Sequence, residues 1–191
     1  PQRGARAARS PQPMEQRPVN LTLAPGALIV LVGPSGAGKS TFAARHFLPS
    51  EVLSSDAMRR MVADDPNDQA ATDAAFELLH AALALRLARG RLTVVDATNV
   101  ERWARERLLA VARRHRRPAA AIVLELPLEV CLERNAARSD RRVPAAAVRR
   151  QQAAMRASVA GLGGEGFDPV WRFSSAEEVS SATVERPVHK A

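Results

Sequence analysis

The stretch Gly33-Pro34-Ser35-Gly36-Ala37-Gly38-Lys39-Ser40 limits what this chain can fold into more than any other part of it. It has the spacing G-x-x-x-x-G-K-[ST]. It follows residues 27–32 (ALIVLV), an unbroken aliphatic run that reads as a central parallel strand, and precedes a helical stretch over 39–47. In that setting the glycines allow backbone angles that turn successive N–H groups inward. The helix adds the positive end of its dipole, so a phosphate is held mostly by main chain. Lys39 is then expected to bridge the β- and γ-phosphates of a nucleotide, Ser40 to ligate Mg²⁺ and Thr41 to complete the cradle. The competing reading is an ordinary glycine-rich turn. It leaves the lysine unexplained, because the basic residues are otherwise arginines and Lys190 is the one other lysine.

The rest of the chain supplies the strand–helix alternation that this loop needs. Short strands are expected over 51–54, 92–95, 120–126 and 170–173, with helices over 70–89, from a Thr98/Glu101 capping box to about 117, from Pro127 through Arg138, and from Pro144 to the glycine cluster at 161–166. Strands alternating with helices over this length imply an α/β fold, a parallel, doubly wound sheet with helices on both faces. At 191 residues and 46% apolar composition, one compact domain is expected over 18–191, preceded by a disordered basic, proline-rich tail over 1–17.

The formal net charge is +8, of which Arg3, Arg6, Arg9 and Arg17 against Glu15 place +3 in the tail and leave +5 for the body. That excess favours a polyanionic partner. The arginines of 101–117 (Arg105, Arg113 and Arg114 among them) read as charges that solvate a helix. The single cysteine, Cys131, excludes an internal disulfide and reads as small-hydrophobe packing, and His46, His80, His115 and His189 form no metal-ligand pattern. No apolar run reaches membrane-spanning length, so a cytoplasmic protein without a membrane partner is expected.

Three further groups carry candidate chemistry. Asp96 ends the strand LTVV, where a carboxylate at the carboxyl edge of an open sheet faces the phosphate site and holds Mg²⁺ through water; a turn or cap aspartate is the alternative. Asp56 and Arg59 stand three apart in Ser55-Asp56-Ala57-Met58-Arg59, a spacing that gives a base for an acceptor hydroxyl and a cation for an acceptor phosphate on one helix face; here the alternative is helix capping by 54–56. Arg134 and Arg138 stand four apart, with Arg141 and Arg142 following, as a lid that neutralises charge on a transferring phosphoryl group; the alternative is a solvated basic face.

Taken together, GPSGAGKSTFAARHF, EVLSSDAMRRMVADDPNDQ, LTVVDATNV, VCLERNAARSDR and EGFDPVWRFSSAEEV resemble the kinase module of bacterial polynucleotide kinase-phosphatase, which is similar to phage polynucleotide kinase. The similarity runs over about 28–185. It implies ATP- and Mg²⁺-dependent phosphorylation of 5′-OH ends of RNA or DNA, in nucleic-acid end healing. It places the general base at Asp56, the acceptor-phosphate contact at Arg59, the phosphate-binding lysine at Lys39, the metal-ligating hydroxyl at Ser40, and lid arginines at Arg134, Arg138 and Arg141. Homodimerisation and association with phosphatase and ligase modules or an RNA methyltransferase are further expectations of the resemblance. Two rivals remain: a small-molecule kinase of the gluconate, shikimate or nucleotide type, and an ATP-dependent module that binds nucleic-acid ends without transfer.

Overall fold

The computed structural model describes residues 19–139 and 142–186, so the expectations for the 1–17 tail and for Arg141 lie outside the described residues. In chain order the elements are β1 (Asn20–Thr22), β2 (Leu28–Val32), α1 (Lys39–His46), β3 (Val52–Ser54), α2 (Ser55–Ala63), α3 (Thr72–Ala88), β4 (Thr93–Asp96), α4 (Arg102–Arg114), β5 (Ala119–Leu124), α5 (Leu128–Ala136), α6 (Ala145–Ser158), α7 (Leu162–Glu165), β6 (Val170–Phe173), α8 (Ala176–Ser181) and β7 (Thr183–Glu185). The main sheet has five parallel strands in the order β3-β4-β2-β5-β6. All five are the strands that the aliphatic runs indicate.

The aliphatic runs are continuous because both faces of the sheet are covered. Leu28, Val30 and Val32 of β2 join a core under α3, α4 and α6 that includes Leu79, Leu83, Leu108 and Met155. The intervening Ile29 and Leu31 point the other way, onto Phe42 and Phe47 around α1. β5 repeats the alternation, with Ala121 and Val123 in the first core and Ala120 and Ile122 in the second. The period of two is that of the pleat. Neither face can take a polar residue cheaply.

The connections set the site. From β2 the chain runs out to β3, returns to β4 between them, and crosses to β5 on the far side. The carboxyl ends of β2, β3, β4 and β5 share one edge of the parallel sheet, with the switch point beside β2. Residues 33–38, Asp56, Asp96 and the start of α5 all follow those ends.

Four local departures from the sequence reading have physical causes. The Thr98/Glu101 capping box does not form: Thr98 O accepts the Gly33 N–H at 2.9 Å and Asn99 takes φ 48°, so α4 cannot begin before Arg102. Arg138 lies beyond α5, which ends at Ala136 with Ala137 as its cap, so Arg134 and Arg138 do not share a helix face. Arg105 does not solvate α4 but is fully buried against Glu165. A second, two-stranded parallel sheet pairs β1 with β7, which three-residue strands could not announce.

The glycine-rich loop sits directly on α5. Gly36 has φ 84°, and a Cβ added there would stand 2.1 Å from the Cys131 carbonyl oxygen. Gly36→Ala therefore combines left-handed backbone strain with a clash against backbone that cannot swing away, and is expected to cost at least about 2 kcal/mol. Gly163→Ala, in α7 with nothing within 4 Å of the added Cβ, should change stability by less than about 1 kcal/mol. Urea unfolding of the two variants checks the contrast.

Candidate active site

Local rules build each wall of the site. Gly36 and Gly38, at φ 84° and 93°, turn the loop so that α1 begins at Lys39. Gly33, Pro34 and Ala37 form its underside: Ala37 is buried against α5, and Gly33 donates to Thr98 O. Ser35, Gly36, Gly38, Lys39, Ser40 and Thr41 face a cavity of about 1010 Å³.

Lys39 is buried, and its Nζ donates to Gly33 O and Pro34 O, each at 2.8 Å. Burial holds its pKa below the usual lysine value; the nearby carboxylate of Asp96 is the largest of the charges that offset this, Asp56 adds to it, and Arg138 opposes. An ammonium short of solvent and of full compensation is a strong receptor for phosphate oxygens. Cys131 reads as expected: burial pushes its thiol pKa up, which leaves it a packing residue.

Asp96 is buried at the end of β4 and lines the cavity with Ser40. A hydroxyl and a carboxylate are hard oxygen donors that fit Mg²⁺, which takes one or two protein ligands and completes its shell with phosphates and water. No group of three or more His, Cys, Asp or Glu residues suited to a metal is found among the described residues.

Across the cavity, α2 presents Asp56 and Arg59. Ser54 caps this helix, its Oγ accepting from the Ala57 N–H at 3.4 Å, so Asp56 stands inside the first turn and is not the cap. Arg59 Nη1 donates to Asp56 Oδ1 at 2.8 Å; the arginine side chain is 7% exposed and the aspartate 28%. The spacing that suggested a shared face thus produces a direct pair. Gln69, Thr72 and Phe76 continue this wall.

Arg134 and Arg138 both reach the same cavity from α5 and the loop after it. Arg134 Nη1 lies 3.5 Å from where a Gly38 Cβ would stand, beside the loop. Gln151 on α6 was not legible in the sequence: its Oε1 accepts the Ser35 N–H at 2.8 Å and ties α6 to the loop. Nothing local marks it, because the contact spans more than a hundred residues. Arg45 Nη1 donates to Ser180 O at 2.6 Å, and both residues line the cavity beside Ala176 and Val179 of α8. Among the described residues no helix is long and apolar enough to cross a membrane.

Comparison with known proteins agrees with this geometry at the level of fold. A chain of the "Pnkp1/Rnl/Hen1 RNA repair complex" superposes with TM-score 0.61 at 20% identity, over 77% of this chain and 47% of that one. A chain of the AvrRxo1-ORF1:AvrRxo1-ORF2 complex gives 0.62 at 15%, over 79% and 55%. The tunicamycin resistance protein of Deinococcus radiodurans gives 0.52 at 19%, over 81% and 94%. The chain therefore spans about half the length of the RNA repair chain it matches. No curated protein matches in sequence. The family model described as "AAA domain" matches residues 28–162, and with its glycine-rich loop at the switch point of a parallel sheet the chain belongs to that family and has the P-loop kinase-like fold.

Proposed function

We propose that this domain transfers the γ-phosphate of ATP to the 5′-hydroxyl end of a polynucleotide. The observation that carries the reading is one cavity with two chemically distinct walls. Lys39, Ser40 and Asp96 line one, the Asp56–Arg59 pair the other, and Arg134 and Arg138 reach in beside the loop. A carboxylate in the cavity can take the proton of an acceptor hydroxyl, which a module that only binds nucleotide does not require.

In this reading the triphosphate lies on the loop amides with Lys39 at the β–γ bridge, and the donor nucleoside extends toward Thr41, Arg45 and α8. Mg²⁺ held by Ser40, and by Asp96 through water, would neutralise phosphate charge when bound. The acceptor hydroxyl sits at Asp56. As its oxygen bonds to the γ-phosphorus, its proton passes to the Asp56 carboxylate, the β–γ bridge breaks and ADP leaves. Lys39, Arg134 and Arg138 offset the charge that grows on the transferring group and the leaving oxygen. Arg59 orients the base and offers a cation to the first internucleotide phosphate.

The excess of +5 in the body and the residues S-S-D-x-x-R with the ADDPNDQ loop support a nucleic-acid acceptor over a small one. The RNA repair complex, whose chain shares the fold, is one setting for such a domain. We extend the proposal to end healing alongside phosphatase and ligase activities carried by other modules or partner proteins.

Asp56→Asn keeps the side-chain shape and loses the basicity. Turnover is expected to fall by about 10² to 10⁴ while ATP affinity falls much less, since Asp96 is the larger of the charges that support Lys39 and Ser54 still caps α2. Retained 5′-phosphorylation by this variant, measured with labelled ATP, would reduce Asp56 to a structural role. The acceptor contact has its own signature: a nucleoside 3′-monophosphate should be a better acceptor than the free nucleoside, and Arg59→Ala should shrink that preference by about tenfold, an interaction with a charged group being of order 1.5 kcal/mol. An undiminished preference in the variant would remove Arg59 from the acceptor site.

A further inference from the structure

We propose that Arg105, fixed by Glu165, is a positioning residue of the phosphate site: it holds the turn over 96–99 in the conformation that sets the Asp96 carboxylate near Lys39 and the Thr98 carbonyl under Gly33. The inference rests on the nucleotide-site reading of Lys39 and Asp96.

Arg105 is 0% exposed, a burial that arginine tolerates only when paired. Its Nε donates to Glu165 Oε2 at 2.8 Å and its Nη2 to Oε1 at 2.6 Å, a two-pronged contact that fixes the plane of the guanidinium. That plane aims Nη1 at two consecutive carbonyls, Asn99 O at 2.9 Å and Val100 O at 2.8 Å. Ser158 Oγ donates to Val100 O at 2.8 Å and takes a longer contact from Nη1 at 3.3 Å. The Glu165 carbonyl in turn accepts from Arg113 Nη2 at 2.6 Å, which pins α7 to α4.

The turn so held contains a left-handed residue. Asn99 sits at φ 48°, its Nδ2 donating to Leu31 O at 2.8 Å and to Ala97 O at 3.3 Å. Asp96 stands at the front of this turn, and Thr98 O takes the Gly33 N–H where the glycine-rich loop begins. Both the metal-facing carboxylate and the root of the loop hang on a segment whose far end is gripped by one guanidinium. Stability alone gives little reason for the arrangement, because an apolar pair of similar volume commonly packs as well as a buried ion pair. What an apolar pair cannot do is bind two carbonyl oxygens.

The test uses the double variant Arg105→Met/Glu165→Leu, the single variant Arg105→Lys, and exposed Arg114→Ala as control. Melting temperature and ATP dissociation constants with and without Mg²⁺ are measured, so the outcome does not depend on finding an acceptor. The double variant is expected to fold but to melt several degrees below wild type, because the buried Asn99 and Val100 carbonyls lose the Nη1 donor. It should bind Mg²⁺-free ATP within about threefold, and lose about tenfold or more of the affinity gain that Mg²⁺ gives wild type. Arg105→Lys, which keeps the charge without the planar fork, should lose the gain in the same way. Should either folded variant bind MgATP as wild type does, Arg105 is not a positioning residue. Wild type that fails to bind ATP at all would remove the nucleotide-site reading instead.

Discussion

The glycine-rich loop keeps its turn because Gly36 occupies a left-handed conformation pressed against the Cys131 carbonyl, a place with no room for any side chain. This contact fixes the loop to α5, and α5 carries Arg134 to the loop's mouth. From the other side the Gly33–Thr98 hydrogen bond fixes the loop to the turn after β4, and that turn carries Asp96. Two backbone contacts therefore place a lysine, a carboxylate and an arginine around one space, and the parallel sheet supplies the rigid edge on which they converge.

Electrostatics follow from that convergence. Lys39 is desolvated and tied to two loop carbonyls, with Asp96 and Asp56 only partly restoring its charged form. A desolvated cation of this kind attracts an anion more strongly than an exposed one would. The opposite wall is built differently. Asp56 is more open to the cavity than Arg59, whose side chain is almost fully buried.

The sheet's strands and the glycine-rich loop were readable in the sequence because both are short-range. Aliphatic runs such as LIVLV report a strand covered on both faces, and the glycine–lysine spacing reports a backbone shape. Strand order, Gln151 on Ser35 and the β1–β7 pair depend on contacts between distant residues, and no local pattern encodes them. Thr98 and Glu101 misled because Asn99 takes a left-handed conformation that no first helical residue adopts. Arg105 was hidden among the surface arginines of α4, although a signal existed: it recurs with Leu108, Leu109 and Ala112 at the three- and four-residue spacing of the buried face.

The most direct measurement of the central claim offers the protein γ-labelled ATP and Mg²⁺ with a 5′-OH oligonucleotide and, in parallel, with gluconate, shikimate and nucleoside monophosphates. Label is expected on the oligonucleotide's 5′ end at a rate well above that on any small acceptor. Label on a small acceptor alone would contradict the polynucleotide assignment and keep the kinase chemistry, while ATP binding with no label transferred anywhere would contradict phosphotransfer itself.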